Sequence, residues 1–231
     1  MRKAALFDAG DTLLHWNVHK RDRFVWLCEQ VGITLPLDSI ARTNAARAAE
    51  RFFYSQLGRE DSWSEAWWIE QTAAGLAELG LPLDLAVQIA SYRRGLPNRF
   101  VLDPDAIPVL QDLRERGYKI GLVSNWDGTL AATCGERGLA PYVDYIGDST
   151  VFGQVKPAPA FFLHVLDRLG IPPEAAFHVG DDYDADVEGA RAAGITPILI
   201  DIFGHEQRTC EYRATGLRDV LRLSDFLNPR T

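Results

Sequence analysis

Cysteine, methionine and lysine are all scarce in this chain of 231 residues. The three cysteines, Cys28, Cys134 and Cys210, lie far apart, are odd in number and form no CxxC pair. That pattern points to free thiols in a reducing compartment rather than to a disulfide framework. The lysines are Lys3, Lys20, Lys119 and Lys156, and no run of Lys or Arg occurs. With a formal net charge of −8, the chain lacks the basic patch that a nucleic-acid backbone demands, which excludes nucleic acid as the main partner. No apolar run approaches the ~20 residues of a membrane helix. The short apolar run after Met1-Arg2-Lys3 stops at Asp8, too early for a signal peptide. Internal repeats and low-complexity tracts are missing as well. A cytoplasmic protein with no membrane partner is the expectation.

What is present suits a folded globular protein. Hydrophobic residues make up 47% and charged residues 24%, enough apolar surface for a sizeable core and too little charge bias for disorder. The length fits one core domain with an insertion. Overall acidity still allows a small anionic substrate, because a bound divalent cation reverses the local field.

Residues 4–7 form an apolar run that ends in an acidic, glycine-containing loop, the pattern of a buried parallel strand followed by a functional turn. Four later segments repeat it: 119–123 before Ser124-Asn125, 142–146 before Gly147-Asp148, 176–179 before Gly180-Asp181, and 196–200 before Asp201. Helices are predicted over 106–116, 129–138, 158–169 and 184–193. This alternation predicts an α/β fold, a doubly wound Rossmann-like parallel sheet that binds its ligand beyond the carboxyl ends of the strands. Residues 15–100 differ, with no convincing strand. Phe24, Leu27, Cys28 and Val31 fall at helical spacing, and Asp38 can cap an alanine-rich helix reaching about residue 57. Ser62-Trp63-Ser64-Glu65 can open a third helix, and Asp84 a fourth that ends near Gly95-Leu96-Pro97. The predicted organisation is a core domain of residues 1–14 and 101–231, with a helical domain of residues 15–100 inserted after the first strand and able to act as a lid.

The strand-end loops carry the candidate chemistry. Asp8, Asp11 and Thr12 follow the first strand; a carboxylate fixed there can be a nucleophile or a metal ligand, and equally a turn residue. Ser124 and Asn125 follow the second, where a hydroxyl can bond a phosphate oxygen or merely close a turn. Lys156 precedes Pro157, which suits a first helical turn, so its cation can neutralise an anionic substrate and a nearby carboxylate. A solvated loop lysine is the plainer alternative. After the fourth strand, Asp181, Asp182, Asp184 and Asp186 crowd together. Their mutual repulsion requires a compensating cation, and oxygen-only ligation suits magnesium. Asp184 also fits a capped helix start.

Taken in order, Asp8 to Thr12, Ser124, Lys156-Pro157, and Gly180-Asp181 with Asp186 resemble the four motifs of the haloacid dehalogenase superfamily. The helical insert resembles the cap that subfamily I members carry after the first motif, and the resemblance covers essentially the whole chain. It implies a magnesium-dependent hydrolase acting on a small phosphorylated metabolite, as a monomer or homodimer. Asp8 takes the place of the nucleophile, which forms an aspartyl-phosphate, and Thr12 orients the site. Ser124, with Asn125, would bind the phosphoryl group, and Lys156 would neutralise charge on nucleophile and substrate. The Mg2+ would be held by Asp8, the Gly10 carbonyl, Asp181 and, through water or Lys156, Asp186.

One position departs from the family pattern. Phosphatases of the family read DxDxT, and their second Asp protonates the leaving group and then activates water. Here that place is Gly10, and an Asp comes one residue later, at Asp11. General acid–base help is worth roughly 10²–10⁴-fold, so aryl or acyl phosphates, with good leaving groups, would suffer least from its loss. Asp11, His15, His19 or water would then move the proton. Three other readings compete. A 2-haloacid dehalogenase also lacks that Asp but needs no metal, and the acidic 181–186 loop weighs against it. A Schiff-base phosphonate hydrolase would depend on Lys20, the one lysine of the insert. A catalytically impaired binding protein would have little reason to keep Asp8, Lys156 and Asp181. Trp26, Trp63, Trp67 and Trp68 can form an aromatic wall for substrate or simply the core of the insert. His164 and His178 read as structural, and no motif is legible after about residue 203.

Overall fold

Strands with apolar side chains on both faces need cover on both sides, and the sheet of this protein is built accordingly. The computed structural model describes residues 3–16, 18, 22–35, 39–96, 100–202, 204 and 206–227. Its strands are β1 (Lys3–Phe7), β2 (Leu14–His15), β3 (Val101–Leu102), β4 (Tyr118–Ser124), β5 (Tyr145–Asp148), β6 (Ala176–Gly180), β7 (Thr196–Ile200) and β8 (Arg213–Ala214). The helices are α1 (Arg23–Gln30), α2 (Ser39–Gln56), α3 (Glu65–Glu78), α4 (Leu85–Gly95), α5 (Ala106–Glu115), α6 (Leu130–Glu136), α7 (Ser149–Phe152), α8 (Pro159–Leu169), α9 (Gly189–Ala192) and α10 (Leu217–Leu227). The chain divides into two compact units, Met1–His15 with Val101–Thr231, and Trp16–Phe100.

The first unit holds a six-stranded sheet in the order β5-β4-β1-β6-β7-β8, with every pairing parallel. From β1 through α5 to β4 the chain moves one way along the sheet. From β5 through α8 to β6 it crosses back over β1. Right-handed crossovers in opposite directions place α5 and α8 on opposite faces. On the α8 face, Ala4, Leu6 and Val123 pack against Phe161, Phe162, Val165 and Leu166 of α8 and Ala190 of α9, all buried. On the other, Tyr118 of β4 donates its hydroxyl proton to the Ser224 carbonyl of α10, 3.2 Å away, and Arg116 donates to the Leu221 carbonyl at 2.9 Å. The reversal of direction falls at β1, so the crevice beyond the carboxyl ends of β4, β1 and β6 is the topological switch point where ligands bind in such sheets.

The sequence-predicted strands and helices appear with shifted ends. The third strand begins at Tyr145, because Pro141 lies in a 3₁₀ turn, Ala140–Tyr142. The helix after Lys156 starts at Pro159, so Pro157 belongs to the preceding turn and not to the first helical turn. The tail that carried no legible motif forms β8 and α10, and α10 buries Leu217, Val220 and Ser224 along one stripe. No helix among the described residues is long and apolar enough to cross a membrane.

A short antiparallel ribbon marks where the chain leaves the first unit and returns to it. Leu14 pairs with Leu102 and His15 with Val101. The Asp103 amide donates to the Leu13 carbonyl at 2.9 Å, and the His15 ring meets the Asp103 carboxylate at 2.9 Å. The second unit has helices joined by turns and no strand among its described residues. Phe24, Leu27, Cys28, Ala45, Ala49, Leu76, Ala86 and Ile89 form its core. Ser64 caps α3 by accepting from the Trp67 amide at 3.1 Å. Asp84 stands at the start of α4, but its side chain makes no capping bond. His19, Lys20, Asp38 and Pro97 lie outside the described residues. Trp63, Trp67 and Trp68 pack on Phe53, with Trp67 fully buried, so much of the anticipated aromatic wall is core of this unit.

Candidate active site

Parallel register brings three strand ends level. Phe7 pairs with Leu122 on one side and Val179 on the other, and the Asp8 amide donates to the Val179 carbonyl at 2.8 Å. Asp8 therefore leaves the sheet between Ser124 and Asp181. Beyond it the chain turns tightly: the Leu13 and Leu14 amides donate to the Ala9 carbonyl, and the Asp11 amide to the Leu14 carbonyl at 2.7 Å. The turn places Asp11 at φ 59, in the left-handed region that Asp tolerates better than most residues. Gly10 does not have a positive φ. A Cβ added there would lie 3.6 Å from Cζ3 of Trp126, an ordinary contact, so any longer side chain would compete with the indole for space. Thr12 is fully buried, and its hydroxyl finds no partner among the described residues.

Lys156 is the centre of the site. It is 4% exposed, and its Nζ donates to Oδ1 of Asp8 at 2.5 Å and to Oδ1 of Asp186 at 2.6 Å. Ser124 lies close enough to Asp8 to favour its ionised form. Asn125, expected to face phosphate, instead grips the Lys156 backbone: its Oδ1 accepts from the Lys156 amide at 2.7 Å and its Nδ2 donates to the Lys156 carbonyl at 3.2 Å. Asp148, at the end of β5, ties down the loop after Ser124 by accepting from the Gly128, Leu130 and Thr150 amides.

The acidic loop divides its labour. Asp182 caps the helical turn by accepting from the Ala185 amide at 2.9 Å, the part the sequence offered to Asp184. Asp184 points outward to Arg208. Asp186 turns inward, fully buried, and takes bonds from Lys156, from His178 Nε2 at 2.8 Å and from the Asp182 amide at 3.0 Å. Space for its carboxylate exists because residue 180 is glycine: an added Cβ would lie 2.1 Å from Asp186 Cγ. Gly180→Ala is accordingly expected to cost about 1–3 kcal/mol by overpacking and to displace Asp186, which thermal unfolding and divalent-cation titration would register together.

Three carboxylates, Asp8, Asp181 and Asp186, each offer an oxygen within 4.8 Å of the others. Asp11 is not part of this group. Burial pushes the Asp8 carboxyl up to about 6, with the Asp186 charge adding to the rise and Lys156 opposing it. Burial acts on Asp186 in the same sense, but the Lys156 charge and the His178 bond outweigh it and hold this carboxyl below the usual range. Burial disfavours the Lys156 charge, yet Asp186 and Asp8 keep its ammonium protonated well past the ordinary lysine range. Burial, helped by Lys156, drives His178 down against the pull of Asp186. Three carboxylates gather here, two of them sharing one ammonium, a set of hard oxygen donors that fits a divalent cation such as Mg2+.

His178 was read from sequence as structural, and Trp126 was not singled out. The one signal for His178 is a polar residue inside an apolar parallel strand. For Trp126 the signal is an aromatic residue following Ser124-Asn125.

A family model described as haloacid dehalogenase-like hydrolase matches residues 2–194. Haloacid dehalogenase-like hydrolase domain-containing protein 3 of Homo sapiens is 32% identical over 201 residues, 84% of this chain and 80% of that protein. Ribulose-1,5-bisphosphate 5-phosphatase of Halopiger xanaduensis is 41% identical over 101 residues, 43% of this chain, and the match spans only 42% of that relative. Among solved structures, a HAD phosphatase from Thermococcus onnurineus aligns with a TM-score of 0.61 at 28% identity, over 96% of this chain and 97% of that one.

Proposed function

Since the chain belongs to the haloacid dehalogenase-like hydrolase family, we propose that it is a magnesium-dependent phosphatase of small phosphorylated metabolites, with Asp8 as nucleophile. The observation that carries this reading is the Lys156 ammonium, buried between Asp8 and Asp186 at the switch point of the sheet. The phosphatase names of relatives in the family point the same way.

Asp8 attacks phosphorus as the bond from phosphorus to the leaving-group oxygen breaks, and water then cleaves the resulting aspartyl-phosphate to release inorganic phosphate and regenerate the Asp8 carboxylate. The Lys156 ammonium on its Oδ1 favours the ionised form of Asp8, the form that attacks. Ser124 is placed to bond a phosphoryl oxygen, and Lys156 offsets the negative charge that gathers on substrate and nucleophile. Asn125 fixes the Lys156 backbone, so its contribution is to orientation. Asp8, Asp181 and the Gly10 carbonyl, with Asp186 acting through water or Lys156, would hold Mg2+, which supplies Lewis acidity toward a phosphoryl oxygen. The helical unit takes the part of the cap that follows the first strand in such hydrolases. Gly10 and the indole of Trp126 leave no carboxylate where family phosphatases carry their acid, so leaving groups that depart without protonation are the preferred substrates, and Asp11 is the nearest carboxylate along the chain to supply a proton.

Phosphate release from p-nitrophenyl phosphate with Mg2+, its loss on adding EDTA and its return with excess Mg2+ are the expected results. Silence across a broad panel of phosphate esters and acyl phosphates would sink the reading. Halide release from 2-chloropropionate in EDTA would instead favour a dehalogenase, for which the Asp181–Asp186 cluster has no use.

A further inference from the structure

We propose that His178 is a positioning residue of this site: it fixes the Asp186 carboxylate and, through the same oxygen, the Lys156 ammonium. The proposal rests on reading the site as a divalent-cation centre.

His178 sits inside β6 with no exposed surface, its ring edge-on to Phe162 at 5.0 Å between centroids. An apolar residue would satisfy that position at no polar cost. The imidazole pays one: Nδ1 is buried with no hydrogen-bond partner among the described residues. A buried, unsatisfied acceptor is destabilising. What the ring gives in return is a single contact, Nε2 to Asp186 Oδ1 at 2.8 Å. The ionised carboxylate only accepts, so Nε2 carries the proton and Nδ1 the bare lone pair.

That contact completes a three-point clamp. Oδ1 of Asp186 receives His178 and Lys156, while Oδ2 receives the Asp182 amide at 3.0 Å. Of the two donors on Oδ1, Lys156 is a flexible amine that also serves Asp8. Only His178 comes from a strand in the middle of the sheet. It sets the direction of the carboxylate, and the ammonium follows because both donors meet on one oxygen. Groups that hydrogen-bond to metal-ligating side chains hold them in register, and their loss typically lowers metal affinity about 10–100-fold.

The test compares donors of different reach at residue 178 in the full chain. Glutamine carries its amide nitrogen about as far along the side chain as Nε2, methionine matches that length without a donor, and asparagine has a donor that falls short. Divalent-cation affinity is measured directly, by Mn2+ paramagnetic resonance and Mg2+ calorimetry, alongside cooperative unfolding. His178→Met and His178→Asn are expected to bind about 10–100-fold more weakly than wild type, and His178→Gln to recover most of that loss. In turnover, the Mg2+ concentration for half-activation should rise more than kcat at saturation falls. A folded His178→Met or His178→Asn protein with wild-type cation affinity would overturn the proposal, as would a folded His178→Gln protein as weak as the other two. Failure of the phosphatase reading looks different: wild type itself would release no phosphate in a Mg2+-dependent way, whatever its cation affinity.

Discussion

Asp8→Asn is expected to abolish phosphate release, by roughly 10⁴–10⁶-fold in kcat, the range met when a nucleophile or its activating partner is removed elsewhere. The amide has the shape of the carboxylate but cannot attack phosphorus. The fold should survive, and for an electrostatic reason. Burial pushes the Asp8 carboxyl up to about 6, the Asp186 charge adds to the rise, and the one ammonium that the two carboxylates share opposes it. Removing one of the two negative charges leaves Lys156 paired with Asp186 and relieves their repulsion. The variant without bound cation should therefore unfold at the same temperature as wild type or higher. Turnover of p-nitrophenyl phosphate and a melting curve in EDTA check both halves. Activity within tenfold of wild type would remove Asp8 from the nucleophile's role.

The second large effect runs the other way in stability. Lys156→Met removes the one ammonium and leaves Asp8 and Asp186 buried together, 6% and 1% exposed, without a counter-charge. Breaking a buried ion pair by taking away one partner costs about 3–5 kcal/mol. A lowered urea midpoint with an unchanged m-value is the expected signature. Activity should vanish even at denaturant-free conditions where the variant is folded. Lys156→Arg is not expected to rescue it, because the planar guanidinium is larger than the pocket that now holds an ammonium at 2.5 and 2.6 Å from two carboxylates. Adding Asp8→Asn to Lys156→Met should restore part of the lost stability, since only one uncompensated carboxylate then remains. Strict additivity of the two substitutions would mean the charges do not interact as described.

Three side chains of this site were legible because they stand at the ends of apolar strands. Asp8, Ser124 and Asp181 could be placed at one sheet edge from period and turn signals alone, since a parallel sheet lines up its carboxyl ends. Lys156 and Asp186 were legible as charges in loops, but their meeting through one buried oxygen could not be read, because it depends on rotamers and on the room left by Gly180. Asn125 was given to phosphate because its partner, the Lys156 backbone, is 31 residues distant. His178 hid inside a strand whose burial made any residue look like core. The short pieces were missed for want of length: β2, β3 and β8 are two residues each, too few for alternation to show. In the opening loop, the exchange of Asp and Gly between positions 10 and 11 was visible. Its backbone reason, a left-handed residue at 11 and an indole beside 10, required coordinates.

The β2–β3 ribbon has a consequence for how this chain can change over time. It pins together the two points where the Trp16–Phe100 unit departs and returns, with Leu14 beside Leu102 and the Asp103 amide on the Leu13 carbonyl. To the sheet, that whole unit is one closed loop. Doubling the length of such a loop adds only about 0.6 kcal/mol of closure entropy. Residues can therefore be gained, lost or exchanged between those two points at almost no cost to the sheet that holds Asp8, leaving the helical unit free to diverge while the reacting groups stay fixed.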